Sequence, residues 1–260
     1  MGHHLRVWEN YRSFADRRAQ LVVDIILQQT ELQGRRVLDY GCGEGATARL
    51  MHAHGARVTA HDIRDDVAGN FAGTDIVFVT GDAVGRFGDS SFDIVILQDV
   101  LEHVPDPRLI LQQICRALAP GGMIYISTPN RFSCINAVSD PHWSLPVVSL
   151  LPRGGVRLFV KTLCRRDRRQ RSDWPALLSL RQLNRILSAN GIEFTFVNTF
   201  VARKLFQNPD MVVCDPRHLK IVRWIRRTGL EERLLGLVND NPCLFNTWVN
   251  STWYGIGRKR

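Results

Sequence analysis

Three glycines at alternate positions follow an apolar run that contains an acid. Residues 37–45 read Val-Leu-Asp-Tyr-Gly-Cys-Gly-Glu-Gly. Glycine has no Cβ, so a loop built on Gly41, Gly43 and Gly45 can take positive φ angles and bring its backbone close to a ligand. In an open α/β sheet, ligands bind beyond the carboxyl ends of the strands, so Asp39 at the end of this strand would face the ligand. The stretch predicts a strand that leads into a nucleotide-binding loop.

The loop alone does not identify the ligand class, because Gly41, Gly43 and Ala46 also satisfy the dinucleotide-binding pattern G-x-G-x-x-G/A. The rest of the first half is more specific. Strands and helices alternate to about residue 128, which is typical of a parallel sheet covered on both faces. The successive segments are a strand at 57–61 closed by Asp62, a strand at 76–80 followed by Gly81-Asp82-Ala83, a strand at 92–97 followed by Leu101-Glu102-His103-Val104, and Pro120-Gly121-Gly122 before a strand at 123–127.

Taken in this order, these segments resemble the class I S-adenosylmethionine-dependent methyltransferases, in particular the branch similar to the ubiquinone-biosynthesis O-methyltransferases. The resemblance covers about residues 20–130 and returns in the final strand. It implies an α/β, Rossmann-like fold with a seven-stranded, mostly parallel sheet and helices on both faces. The last strand would run antiparallel between the fifth and the sixth. The resemblance also implies S-adenosyl-L-methionine as the cofactor and S-adenosyl-L-homocysteine as its product.

The resemblance assigns most cofactor contacts to the ends of the first two strands. Asp39 would orient the glycine loop and reach the methionine ammonium. Asp62 would accept hydrogen bonds from the ribose hydroxyls as a charged acceptor, and Ile63 would lie against the adenine face. The remaining contacts here come from the loop itself: Gly41, Cys42, Gly43 and Gly45.

The third and fourth strands would supply the other cofactor contacts. Asp82 would accept from the adenine amino group, Ala83 would donate its backbone N–H to a ring nitrogen, and Gln98 would lie beside the methionine portion. Simpler roles exist for single positions: Asp82 can form a turn after Gly81, and Asp62 can cap a helix. Cys42 is more typical of a small packed thiol than of a nucleophile, since no partner residue is suggested by spacing.

Two histidines are candidates for a general base on the acceptor side. A base is needed only where the acceptor carries a proton, and a histidine of near-neutral pKa suits a phenol or hydroxyl. His103 lies just after the fourth strand, and the competing interpretation is that its Glu-His pair only begins a loop and helix. His142 lies in Asp140-Pro141-His142-Trp143, after the fifth strand, and the competing interpretation is a capped loop histidine.

The chain is interpreted as one methyltransferase domain over 1–260, with a helical segment at 1–34 and a cofactor-binding core at 35–129. A helix at 177–190, a sixth strand at 192–200 and a final strand at 247–258 complete the sheet. Two insertions, 130–175 and 201–243, are expected to close over the acceptor side as a lid. Within the first insertion, residues 140–153 resemble an insertion in bacterial methyltransferases of cell-surface glycan or secondary-metabolite pathways, and the alternative is a lid that packs on its own core.

Charge and cysteine content bound the partners. The formal net charge is +9, and a basic cluster at 153–171 lies among apolar residues. This mixture favours an anionic or lipid-linked small molecule, or peripheral contact with an anionic membrane, over duplex nucleic acid. Solvated arginine-rich faces are the alternative.

The six cysteines form no C-x-x-C pair, so the sequence predicts no metal site. The charged first thirty residues exclude the apolar core of a signal peptide. A cytoplasmic location is expected, and the oligomeric state stays open.

Three functions follow from these observations. The first is methyl transfer to a small-molecule acceptor, on an oxygen of a metabolite, sugar or lipid-linked, quinol-like compound. The second is RNA methylation, suggested by the charge, although residues 127–130 read Ser-Thr-Pro-Asn rather than an N-P-P-Y-type motif. The third is a non-catalytic binding module that retains the fold.

Overall fold

Seven strands form one mixed sheet in the computed structural model, which describes residues 2–81, 84–162, 174–213 and 216–260. The strands are β1 (Arg36–Tyr40), β2 (Arg57–Asp62), β3 (Val77–Thr80), β4 (Phe92–Gln98), β5 (Leu118–Pro129), β6 (Ile192–Phe196) and β7 (Thr252–Lys259). The α-helices are α1 (Gly2–Leu27), α2 (Ala46–Ala53), α3 (Pro107–Ala117), α4 (Cys134–Val138), α5 (Arg153–Thr162), α6 (Leu180–Ala189), α7 (Asn198–Gln207), α8 (Pro216–Arg227), α9 (Glu231–Leu235) and α10 (Leu244–Trp248).

The strand order is β3-β2-β1-β4-β5-β7-β6. Strands β1 to β5 pair in parallel, and β7 runs antiparallel to both β5 and β6. This order confirms the predicted fold class, including the position of the last strand. Because β1 pairs with β2 on one side and β4 on the other, the chain changes direction across the sheet beside β1, and the crevice for ligands opens there.

Alternating side chains of the central strands build a core on each face of the sheet. Val37 and Ile94 pack on the face covered by α1, α2 and α7. Leu38 and Val95 pack on the opposite face, beneath α3 and α6. A parallel strand buried on both faces needs apolar residues at consecutive positions, which accounts for Val37 and Leu38 in β1 and for the apolar run 94–97 in β4.

The predicted boundaries are wrong at two strands near the end of the chain. The sixth strand stops at Phe196 rather than 200, and α7 begins at Asn198. The final strand begins at Thr252 rather than 247, because residues 244–248 form α10. Tertiary contacts stabilise helices instead of strands at these positions. The buried Asn198 side chain donates a hydrogen bond to Asn246 Oδ1 at 3.1 Å, which joins α7 to α10. Local β propensity does not encode such a contact.

The described part of the first insertion has a small core of its own. Trp143, Val148, Val156 and Val160 are buried together, and the Trp143 ring stacks on Trp174 at 5.5 Å between centroids. The segment therefore has the self-packed character of the alternative interpretation.

The packing of α1 on the sheet gives a stability prediction. Leu21 is fully buried, whereas Leu27 on the same helix is 41% exposed. Leu21→Ala should lower the free energy of unfolding by about 2–5 kcal/mol, because it removes buried methyl groups and leaves a cavity. Leu27→Ala, the matched control, should change it by less than about 0.5 kcal/mol. Urea unfolding followed by tryptophan fluorescence measures both, and equal midpoints would contradict the docking of α1.

Candidate active site

The glycine loop, residues 41–45, lies at the carboxyl end of β1, and backbone hydrogen bonds fix its shape. The N–H groups of Gly41 and Cys42 both donate to the His61 carbonyl, at 2.7 and 2.8 Å. Gly41 has a φ of 77°, and a Cβ there would lie 2.6 Å from Val100 Cγ2. Gly43 has a φ of 52°, and a Cβ there would meet no atom within 4 Å. Gly41 therefore permits close packing beneath the loop, while Gly43 presents bare backbone to open space where a ligand can approach.

Asp39 places an unsatisfied carboxylate oxygen below this loop. The side chain is 2% exposed, and its Oδ2 has no hydrogen-bond partner among the described residues. The pKa of Asp39 is raised to about 7, mainly by burial; a hydrogen bond from the Ala48 backbone opposes the shift, and the nearby Asp62 carboxylate contributes to it. A buried acceptor of this kind is costly without a donor. A ligand ammonium group would supply that donor, so the residue fits the predicted contact.

Asp62 links the glycine loop to the end of β2. Its Oδ2 accepts the Gly43 N–H at 2.8 Å, and its Oδ1 accepts the Arg64 N–H at 3.0 Å. The Arg64 contact is a local turn bond rather than the helix cap of the simpler interpretation, since the next helical segment begins only at Ala68, and the Gly43 contact fixes the loop. Each carboxylate oxygen has a second lone pair, so both can still accept ribose hydroxyls. Ile63 follows with 78% exposure, which suits an apolar surface for an adenine ring.

The other predicted cofactor residues have different outcomes. Gln98 ends β4, and its Oε1 accepts the Thr47 hydroxyl at 2.8 Å, which places it at the same sheet edge. Cys42 is a packed thiol: burial, with the Asp39 and Asp62 carboxylates, raises its pKa far above the usual range. Its thiolate form is therefore suppressed at neutral pH. Asp82 and Ala83 lie outside the described residues.

An arginine from α1 reaches the same edge, and sequence reasoning missed it. Arg18 Nη2 lies 2.6 Å from Asp99 Oδ2, and its Nη1 donates to the Tyr254 hydroxyl at 3.0 Å. Ser127 donates to the other Asp99 oxygen at 2.8 Å. Arg18 is 8% exposed. The position of Asp99 directly after a buried strand was a usable signal, but nothing local links it to a helix 81 residues earlier.

The two candidate histidines are brought together, although they are 39 positions apart in the sequence. Their rings meet edge to face, with centroids 5.0 Å apart. His142 Nε2 lies 3.9 Å from Glu102 Oε1, and its Nδ1 lies 3.9 Å from Asp140 Oδ1. Asp140 also accepts the backbone N–H groups of His142 and Trp143 at 2.9 Å, so His142 is a capped loop histidine as well as a neighbour of His103.

Arg153 fastens the first insertion to the loop that carries His103. Its Nη2 donates to the carbonyls of Glu102 at 3.0 Å and Val104 at 2.6 Å. The first residue of the predicted basic cluster therefore faces inward and cannot serve an external anion. The cluster residues 163–171 lie outside the described part of the chain.

Within the described residues, Glu102, His103 and His142 form a group with metal-ligating side chains close together. Their ligand atoms all lie within 4.8 Å of one another. The sequence predicted no metal on the basis of cysteine spacing, which does not bear on a Glu-His-His group. Such a group can hold either a shared proton or a divalent cation.

The fold is shared with several solved methyltransferases. An S-adenosylmethionine-dependent methyltransferase from Mesorhizobium loti superposes with a TM-score of 0.58 and 17% identity, covering 91% of this chain and 96% of that one. An S-adenosylmethionine-dependent methyltransferase from Thermotoga maritima, described as a possible histamine N-methyltransferase, superposes with a TM-score of 0.57 and 16% identity, covering 98% and 96%. At 16–17% identity these two comparisons show that the fold is shared.

Sequence comparison defines the family. A family model described as "Methyltransferase domain" matches residues 9–196, and the chain belongs to this family. The ubiquinone biosynthesis O-methyltransferase of Paracidovorax citrulli is 39% identical over 134 residues, which are 47% of this chain and 55% of that protein. The protein of the same name from Pseudomonas entomophila is 31% identical over 144 residues, 52% and 61% of the two chains. The chain thus spans about half the length of these relatives.

The buried carboxylate of Asp39 predicts opposite effects on stability and binding. Its folded pKa lies above its ordinary value, so its contribution to stability is complete at low pH and is lost as pH rises through about 7. At pH 8, Asp39→Asn should therefore raise the melting temperature by about 2–4 °C. The same change should weaken S-adenosylmethionine binding by about 1.5–3 kcal/mol, because a charged hydrogen bond is lost.

Scanning calorimetry at pH 5 and pH 8, with isothermal titration of the cofactor, measures both effects. The gain in melting temperature should disappear at pH 5. Asp75→Asn, at an exposed site, is the matched control and should change neither quantity. A loss of stability at pH 8 in Asp39→Asn would contradict this account.

Proposed function

We propose that the protein transfers a methyl group from S-adenosylmethionine to an oxygen of a small, quinol-like acceptor. The observation that carries the proposal is the buried Asp39 oxygen beneath a glycine loop that Asp62 holds open. A nicotinamide dinucleotide presents no ammonium group at this position, whereas the methionine end of S-adenosylmethionine does. The names of the curated relatives support an aromatic hydroxyl as the acceptor.

The charges at the sheet edge match the polar ends of this cofactor. Asp39 offers an acceptor to an ammonium, and Arg18 brings a guanidinium to the end of β4. Asp62 and Ile63 together offer two acceptor oxygens and an exposed apolar side chain for the nucleoside. The predicted adenine contacts of Asp82 and Ala83 remain part of the proposal.

Methyl transfer is an in-line displacement, so the protein's tasks are positioning, exclusion of water and removal of one proton. S-adenosylmethionine, when bound, supplies a methyl group on a sulfonium leaving group. His142 would take the proton of the acceptor hydroxyl as that oxygen receives the methyl group. His103 packs against His142 and helps to fix the orientation of its ring.

The test of this function combines binding and turnover. Calorimetry should give one site for S-adenosylmethionine and none for NAD, and Asp62→Ala should weaken binding by about 1–3 kcal/mol. With labelled S-adenosylmethionine and 3,4-dihydroxybenzoate as a catechol probe, His142→Asn should reduce kcat by about 10²–10⁴-fold. His103→Asn should have a smaller effect, and His54→Asn, on the far side of α2, is the control. Cofactor binding without transfer to catechol, RNA or lipid fractions would support the non-catalytic alternative.

An apolar surface near the acceptor side supports a lipid-linked acceptor or contact with an anionic membrane. We define the apolar surface by five exposed side chains: Phe132, Ile135, Val138, Leu244 and Trp248. The Phe132 and Trp248 rings lie 5.8 Å apart, and the Arg131 guanidinium lies 5.6 Å from the Phe132 centroid. No helix among the described residues is long and apolar enough to cross a bilayer. Aromatic and aliphatic side chains beside arginine suit the interfacial region of a membrane.

Liposome binding tests this part of the proposal. The double variant Leu244→Ser/Trp248→Ser should lose most of the binding to vesicles that contain 30% phosphatidylglycerol, at about 0.8 kcal/mol for each buried methylene removed. Leu109→Ser, at a side chain 49% exposed on α3, is the matched control and should bind as the native protein does. Unchanged binding in the double variant would exclude this surface.

RNA methylation is the alternative that the same samples test. Tight binding to RNA that falls steeply with salt, without binding to vesicles, would favour it. The basic residues 163–171 would then be the first to substitute.

The proposal also includes a lid formed by 130–175 and 201–243, and a cytoplasmic location. Hydrogen exchange with and without cofactor tests the lid.

A further inference from the structure

Glu102 is a buried acid that the cofactor site does not use. Its side chain is 0% exposed, and it lies just after β4 on the acceptor side. Its Oε2 accepts the Thr128 hydroxyl at 3.0 Å, while its Oε1 has no hydrogen-bond partner among the described residues. The pKa of Glu102 is raised to about 7, mainly by burial; His103 opposes the shift, and the Asp99 carboxylate contributes to it. A carboxylate left half satisfied in the interior needs a structural or chemical reason.

The unsatisfied oxygen faces a side chain from a different segment. His142 Nε2 is the neighbouring ring nitrogen, 3.9 Å from Glu102 Oε1. Both residues are held on their far sides: Thr128 holds the other oxygen of Glu102, and Asp140 caps the backbone at His142. A shift of about 1 Å would close this gap to hydrogen-bond length, which is a common difference between unliganded and substrate-bound sites.

We infer that Glu102 is a positioning residue that orients His142 as the base for the acceptor hydroxyl, and this rests on the proposed function. When His142 takes the proton of the acceptor, the Glu102 carboxylate stabilises the imidazolium that forms, and the proton leaves to solvent after the methylated product departs. Glu102 itself does not touch the acceptor.

Four other groups surround Glu102 and His142 and affect how the pair titrates. Asp140 lies beside His142 Nδ1, and the His103 ring packs against the His142 ring. Arg153 donates to the Glu102 carbonyl from the first insertion, and Asp99 acts on Glu102 from the end of β4. Three carboxylates and one arginine around two imidazoles stabilise the imidazolium that forms once His142 has taken the proton of the acceptor. Because these groups interact strongly, the measured steps belong to the cluster rather than to one residue.

Kinetics distinguish orientation from simple packing. Glu102→Gln keeps the shape and should lower kcat for 3,4-dihydroxybenzoate by about 10–100-fold at pH 7.5, with KM and cofactor affinity changed less than threefold. Glu102→Asp retains the charge and should recover part of the loss. Thr128→Val, which removes the hydroxyl that orients Glu102, should lower kcat by about 3–10-fold. Glu193→Gln, at an exposed ion pair with Arg260, is the matched control and should behave as the native enzyme does.

An NMR titration of the histidine side chains tests the pair without any acceptor. In the native protein, His142, assigned with His142→Asn, should titrate in two coupled steps. In Glu102→Gln it should titrate in one step, displaced by at least one pH unit toward acid. This result holds even if the catechol is not methylated, so failure of the proposed function and failure of this inference are distinguishable.

Two results would overturn the inference. An unchanged His142 titration in Glu102→Gln would show that the carboxylate does not act on the ring. One equivalent of bound zinc or magnesium, found by elemental analysis and required for the native titration curve, would show that the cluster is a metal site instead. A folded Glu102→Gln protein is confirmed by circular dichroism and by its cofactor affinity.

Discussion

The candidate site depends on one constraint: a carboxylate is buried at the end of the central strand β1. Burying the unsatisfied Asp39 oxygen is costly, and a ligand cation would offset that cost. The sheet order places β2 and β4 on its two sides, so Asp62 and Gln98 come to the same edge. The loop above it has no Cβ at the positions where a ligand or a neighbouring strand must approach. Binding chemistry, strand order and loop composition are therefore consequences of a single arrangement.

The acceptor side is built on a different principle. No single motif supplies it, because His142 comes from an insertion while Glu102 and His103 follow β4. Arg153 joins these two segments through backbone carbonyls, and this makes their geometry insensitive to the side chains of the loop. Under the proposed function, the insertion could vary in the residues that meet the acceptor without displacing His142. The small core around Trp143 packs the described part of the insertion on itself.

The sequence predicted the cofactor half of the fold better than the rest, for a physical reason. Strand order, the glycine loop and the carboxylates at strand ends depend on periodicity and on short motifs, which are local. The end of β6 at Phe196 and the start of β7 at Thr252 depend instead on Asn198 and Asn246, whose side chains meet across 48 positions. The roles of Arg18 and Glu102 were missed for the same reason. Their partners are fixed by packing, and no local pattern encodes it.

The contact between Arg18 and Tyr254 joins residues 236 positions apart. A nascent chain that has completed β1 to β5 already holds Asp39 and Asp62, but it lacks the last strand against which α1 settles. Closing so large a loop is slow relative to local pairing, so we expect the contact between Arg18 and Tyr254 to form late in folding. A chain that ends before β7 would keep the glycine loop but would lack the hydroxyl that accepts from Arg18 Nη1.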